Sequence, residues 1–215
     1  MIGIGKLRNM NNQLNIFGPN KRTSVNDTEK IGKIKDLSIV EDFISEVEEK
    51  ELREFIDKEE WLNNLSRRVQ HYGYKYDYRF RRIDLSMKIG GLPIWIKPIK
   101  KRLVEKNYFK TKPDQLIVNE YEIGQGISPH IDCEPCFDDT IVSISLNSTA
   151  IMNFNHAITN EKIEIFLPRR SAVILKGESR YNWKHSIPGR KTDKFNNQIM
   201  KRERRISLTF RKVII

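Results

Sequence analysis

The sequence predicts an α+β chain in which helices come first and a β-sandwich or jelly roll follows. Two textures predict it. Across Val40, Phe43, Ile44, Val47, Leu52, Phe55 and Ile56, apolar residues recur at near-helical spacing between charged ones. From Gln115 onward the chain breaks into short strands at regular spacing, divided by turn residues and with no helical pattern between them. At 215 residues this is one domain's worth of chain, enough to bury most of its unfolded surface without staples.

Taken in order, residues 1–35 are rich in Asn, Lys, Gly, Ser and Thr and read as a flexible arm, with a short strand at Ile34–Leu37 closing it. Residues 36–215 form the folded domain. The amphipathic helix, or close pair of helices, comes next, with a charged outer face and an apolar inner face suited to packing on a sheet. In QHYGYKYDYRFRR, Tyr72, Tyr74, Tyr76 and Tyr78 alternate with other residues, and period 2 makes this a strand with four tyrosines on one face. Gly90–Pro93 is a turn, and Trp95–Tyr108 reads as a helix with Pro98 tolerated near its start. The strands that follow are QLIVNEY, HID, TIVSISLN, AIMNFN, KIEIFLP, SAVILKG, WKHSI and RRISLTFRKV. Before the last of these, KTDKFNNQIMKRERR reads as a mobile basic surface loop.

Charge narrows the partners. Lys and Arg number 39 against 28 Asp and Glu, for a net charge of +11, which favours an anionic partner, most simply nucleic acid. Solubility charge is the bland alternative. No apolar run approaches the roughly 20 residues of a membrane span, and the N-terminus lacks a secretory pattern, so a cytoplasmic or nuclear location is expected. Cys133 and Cys136 form a lone C-x-x-C, a weak metal signal, and two free thiols are expected there.

His130 and Asp132 sit two apart on an expected strand, so both side chains project to one side. With a distant His185 they make two imidazoles and a carboxylate, the facial ligand group of non-haem Fe(II) oxygenases. Taken alone, a turn-forming Asp beside a partly buried His explains the pair equally well. Asn119 and Tyr121 share a strand face just before, and both can donate to a carboxylate. In the last strand Arg205, Ser207, Thr209 and Arg211 form one polar face. Solvent exposure explains that alternation too, but two guanidinium forks in line can grip both ends of a dicarboxylic acid.

These residues resemble the AlkB family of Fe(II)/2-oxoglutarate dioxygenases, from about Gln70 to the C-terminus. N-x-Y eleven residues before H-x-D, a distal histidine and R-x-x-x-x-x-R in the last strand carry the resemblance. The phrases EYEIGQGISPHID, LPRRSAVILKGESRYNWKH and RRISLTFRKV are most similar to the branch that hydroxylates the wobble uridine of tRNA. The resemblance implies a double-stranded β-helix, that is, a jelly roll with N-terminal supporting helices, and it implies Fe(II), 2-oxoglutarate and O2. It also implies iron on His130, Asp132 and His185. Arg205 would take the distal carboxylate of 2-oxoglutarate with Tyr121 and Ser207, while Arg211 and Asn119 would lie by the metal-chelating end.

For the substrate, an unpaired base needs aromatic planes and arginine. Tyr72, Tyr74, Tyr76, Arg180, Tyr181 and Trp183 are the expected platform, with Glu134 as a further contact. Core packing is the competing reading for Tyr74 and Tyr76, and a solvated loop acid for Glu134. Arg169, Arg170, Lys184, Arg190, Lys191, Lys194, Lys201 and Arg202 cluster around the suspected mouth in sequence. The expected partner is RNA, tRNA in particular, ahead of DNA. Repair of N-methylated bases, a catalytically silent RNA-binding jelly roll, and an oxygenase of protein or lipid remain the alternatives.

Overall fold

Ile206, Leu208 and Phe210 pack on one side of the last strand, while Arg205, Ser207, Thr209 and Arg211 line a cavity on the other. That division organises the molecule. The computed structural model describes residues 25–63 and 65–215. A six-stranded antiparallel sheet holds β1 (Leu37–Val40), β8 (Ala172–Leu175), β5 (Phe137–Leu146), β12 (Arg205–Val213), β3 (Gln115–Tyr121) and β2 (Arg68–Tyr72), side by side in that order. A four-stranded sheet packs against it, in the order β4 (Ile127–His130), β9 (Trp183–Ile187), β6 (Ala150–His156) and β7 (Lys162–Leu167). Phe137, Ile141, Val173 and Val213 of the larger sheet share one core with Met152, Phe154, Ile165 and Trp183 of the smaller. This is the expected jelly roll.

Two helices cover the outer face of the larger sheet. Leu52 and Ile56 of α2 (Glu46–Lys58) and Ile99 and Leu103 of α3 (Lys97–Glu105) pack over Val118, Ile144, Leu208 and Phe210. Burial of each large apolar side chain here contributes about 1.5–3 kcal/mol. α2 starts later than its apolar spacing suggests, because Ser45 caps it: the Ser45 hydroxyl accepts from the Glu48 N–H at 3.2 Å, and the Glu48 carboxylate accepts from the Ser45 N–H at 2.8 Å. Val47 and Phe55 consequently face outward.

Three expectations are corrected. The tyrosine strand stops at Tyr72, since Gly73 has φ +80° and a Cβ there would lie 1.8 Å from the Asp114 carbonyl oxygen. Beyond it the tyrosines diverge, with Tyr72 toward the helices, Tyr74 into the core between the sheets, and Tyr76 and Tyr78 into the cavity. The basic loop is a hairpin, β10 (Thr192–Phe195) and β11 (Gln198–Lys201), turned by Asn196 and Asn197 at positive φ. Residues 1–24 of the expected arm lie outside the described residues, but Val25–Gly32 forms a helix, α1, and Ile31 and Ile34 pack into the core between the sheets. A short helix, α4 (Gly177–Tyr181), precedes β9. No helix among the described residues is long and apolar enough to cross a membrane.

Candidate metal centre and acid pocket

β4 and β9 run antiparallel with His130 directly opposite His185, so both rings project from one face, their centroids 4.4 Å apart. Asp132 lies just past the end of β4, outside the strand that its spacing suggested. Its carboxylate still reaches the pair, with Oδ2 3.8 Å from His185 Nε2. His130 Nδ1 donates to the Ser128 carbonyl at 2.8 Å, which leaves the Nε2 lone pair free.

Asp132 is divided between two neighbours. Its Oδ1 accepts from Arg211 Nε at 3.1 Å and Nη2 at 2.8 Å, while Oδ2 is buried without a hydrogen-bond partner. Burial raises its pKa, but Arg211, the two imidazoles and Arg180 outweigh that and hold the carboxyl well below the usual carboxylate range. Burial, reinforced by His130 and the nearby arginines, pushes His185 down to about 3. At neutral pH the group is therefore an anionic oxygen facing a neutral imidazole. Among the described residues no three such donors are closed tightly enough to grip an ion as they stand. The unpartnered Asp132 oxygen and the free imidazole nitrogens nevertheless fit a ferrous ion in donor type and number.

These side chains line a cavity of about 790 Å³, the size of a small-molecule site. The polar face of β12 forms part of its wall, and Arg205, Ser207, Thr209 and Arg211 are all buried, so solvent does not explain their alternation. Arg205 Nη2 donates to Ser145 Oγ at 2.8 Å, and its guanidinium lies 5.5 Å from the centre of the Tyr121 ring. Its Nε has no partner, and no carboxylate among the described residues pairs with it. A buried cation left unneutralised is costly, which suits this end of the cavity to an anion. Ser207 Oγ stands 2.7 Å from Ser143 Oγ beside it.

The two arginines expected to grip an acid both line the cavity, and they differ in how far their N–H groups are engaged. Arg211 is engaged by Asp132 and by Gln115 Oε1 at 3.2 Å, whereas Arg205 has an Nε without any partner, so Arg205 is the less committed of the two. Asn119 does line the cavity, but its Oδ1 accepts from Arg67 Nε at 2.9 Å. Arg67, which also lies against Tyr78 and Tyr121, escaped the sequence because it precedes its strand with no periodic cue. Ser145 was findable: it shares a strand face with Ser143 and pairs with Ser207 in register.

Of the expected platform, Tyr76 lines the cavity and packs on Tyr78 and Phe137. Tyr74 and Trp183 are core residues; Trp183 shares the His185 face of β9 but sits where the sheets close over it. Arg180, 2% exposed, donates to the Asp132 and Cys133 carbonyls at 2.9 and 3.2 Å, and so braces the turn that carries Asp132. Glu134 is exposed and outside the cavity lining. Cys133 and Cys136 are joined to each other and are not free thiols; a turn hydrogen bond from Cys136 N–H to the Cys133 carbonyl brings them together. Arg169 and Arg170 pair with Glu49, Asp42 and Glu46 on the helical side, away from the mouth.

The 2OG-Fe(II) oxygenase superfamily matches the chain over residues 40–211. An Arabidopsis thaliana protein, alkylated DNA repair protein ALKBH8 homolog, is 37% identical over 203 residues, which cover 84% of this chain and 59% of that protein. The Mus musculus tRNA (carboxymethyluridine(34)-5-O)-methyltransferase ALKBH8 is 39% identical over 201 residues, covering 82% of this chain and 30% of that protein. The chain thus spans well under two thirds of the length of either relative. The solved structure of OsALKBH1 superposes with a TM-score of 0.60 at 18% identity, over 82% of this chain and 96% of that one, a likeness of fold.

Proposed function

Because this chain belongs to the 2OG-Fe(II) oxygenase superfamily, as an AlkB-type dioxygenase that uses Fe(II), 2-oxoglutarate and O2, we propose that it hydroxylates the side chain of a modified uridine in tRNA. The dioxygenase domain is residues 36–215, acting in the cytoplasm or nucleus. His130, Asp132 and His185 would hold the iron, and Arg205, with Ser145, Ser207 and Tyr121 around it, would hold the distal carboxylate of 2-oxoglutarate. Bound iron supplies the oxygen activation that couples loss of carbon dioxide from the acid to hydroxylation of a C–H bond.

The chain's own residues set the geometry. Arg211 holds one oxygen of Asp132 and so aims the other at the imidazoles. Ser128 fixes the His130 ring through Nδ1. Arg180 immobilises the turn from behind. Tyr76 and Tyr78 offer ring faces in the same cavity, and a base stacked on such a ring gains about 1–3 kcal/mol.

The observation that carries this reading is a buried, uncompensated guanidinium in one cavity with two imidazoles and a carboxylate. The name of the mouse relative supports tRNA uridine as the target. The name of the Arabidopsis relative favours a second reading, repair of an N-methylated base, in which the hydroxylated methyl leaves as formaldehyde. Protein incubated with iron, ascorbate, 2-oxoglutarate and either tRNA or methylated DNA, followed by mass spectrometry of the nucleosides, separates the two. A uridine derivative gaining one oxygen supports the proposal. Formaldehyde with loss of a methyl group supports repair, and succinate formed equally with or without nucleic acid overturns both.

A further inference from the structure

The β10–β11 hairpin is anchored more firmly than an ordinary surface connection. Its inner face carries Asp193 and Phe195, both buried. Phe195 stacks on Phe166 with ring centres 4.3 Å apart, and Met200 packs against the same cluster. Asp193 Oδ1 accepts from Arg190 Nε at 2.7 Å and Arg202 Nη2 at 2.8 Å; Oδ2 accepts from Arg202 Nε at 2.7 Å and the Ile151 N–H at 3.3 Å. Arg202 also donates to the carbonyl of Pro188, and Pro188 and Gly189 are cavity wall. The ribbon is therefore braced to the rim of the site.

What this bracing presents outward is positive charge. In the hairpin register Thr192 pairs with Lys201 and Lys194 with Ile199, so these four side chains share the outer face, and all four are exposed. Lys191, also exposed, stands at the ribbon's base. None of the three lysines has an ion-pair partner among the described residues. Lys194 and Lys201 are diagonal neighbours, roughly 7–8 Å apart. Their flexible ammonium ends can therefore reach neighbouring phosphates of one strand. Ile199, 76% exposed beside Lys194, adds an apolar contact of the kind a sugar face can use.

We propose that the outer face of β10–β11, with Lys191, Lys194 and Lys201, is a phosphodiester-docking surface that holds the nucleic-acid strand leading into the cavity. This rests on the reading of the substrate as nucleic acid and adds where that strand lies. Two physical features favour it: the charge matches a polyanion, and a pre-ordered ribbon loses little conformational freedom on binding.

The test is fluorescence anisotropy of a labelled stem-loop RNA and its DNA counterpart, titrated with the full chain from about 50 to 200 mM salt. The combined variant Lys191→Ala, Lys194→Ala, Lys201→Ala changes only exposed positions. It is expected to weaken binding about tenfold or more and to reduce the salt slope by about 2–3. Succinate formation without nucleic acid should be unchanged. A control variant, Lys97→Ala, Lys106→Ala, Lys110→Ala, removes the same charge from α3 and the turns after it and should weaken binding far less. Equal loss in the two variants, or no loss in the first, overturns the docking surface while leaving nucleic acid as substrate. Failure of the unaltered chain to bind either probe overturns both. The RNA and DNA arms report which strand the ribbon holds.

Discussion

Asp132 and His130 each have their orientation set by a neighbour, and single substitutions expose that division of labour. Asp132→Ala removes the anionic oxygen and leaves the Arg211 fork buried without a carboxylate. Succinate formation is expected to fall to background, with the circular dichroism spectrum retained and stability lower by about 1–3 kcal/mol, the penalty of an unsatisfied buried group. Turnover surviving in that variant removes Asp132 from the ligand set. Arg205→Ala acts at the other end of the cavity. A charged hydrogen bond to the acid contributes about 1.5–3 kcal/mol, so the KM for 2-oxoglutarate should rise roughly 10–100-fold, and an unchanged KM places the anchor elsewhere. His71 reports on the fold. Burial, then Arg211, Lys75 and Arg67, push its pKa down to about 4, and its Nδ1 accepts from the Tyr76 N–H. A depressed histidine stays neutral in the folded chain while the unfolded chain takes up a proton. Its share of stability is therefore complete above about pH 6.5 and is lost as pH falls toward about 4, up to roughly 3 kcal/mol. His71→Asn keeps an acceptor but does not titrate, so urea denaturation across that window should show a shallower decline than in the unaltered chain.

Among the elements, those whose periodicity is imposed by one burial pattern were legible in the sequence. The strands from Gln115 alternate or run apolar because one or both faces are covered, and apart from HID, whose strand ends at His130, they appear where the pattern places them. Elements governed by a single residue were not. Gly73 ends the tyrosine strand through a steric contact with Asp114, which lies 41 positions away in sequence and so leaves no local trace. The β10–β11 hairpin carries its anchor in a charged residue, and a buried Asp193 held by two arginines reads, in sequence, like the solvated loop around it. The meeting of His130, Asp132 and His185 was legible from H-x-D and a distal histidine, but the contact of Arg180 was not, because a bond to a backbone carbonyl has no sequence signature. At this scale the reciprocal cap of α2 is the simplest probe. Ser45→Ala should cost about 1 kcal/mol, and the transition temperature should drop about 2–4 °C with the KM for 2-oxoglutarate unchanged; a shift in KM would tie the helical side to the site.

For the molecule as a whole, the two sheets divide the work. The outer face of the larger one is covered by helices, which pack on Ile206, Leu208 and Phe210 of β12. Its inner face and the smaller sheet keep a polar chamber between them. The chain's net charge of +11 was plain from composition, but its placement was not, since Arg169, Arg170, Arg190 and Arg202 are all ion-paired with carboxylates. Sequence proximity to the mouth was a poor guide to which cations stay available.

The contact between Arg211 and Asp132 also bears on how the centre fills. A divalent ion reaching Asp132 meets a carboxylate whose charge is already offset, with Arg205 uncompensated in the same chamber. The dianionic co-substrate relieves both excesses of positive charge at once, so ion and acid should strengthen each other's binding by one shared factor. Calorimetric titration with manganese is expected to show weak uptake alone and markedly tighter uptake in the presence of 2-oxoglutarate; equal affinities would rule this out. Occupancy of the centre then tracks the local abundance of the diacid, and the protein idles largely unloaded wherever that metabolite runs short.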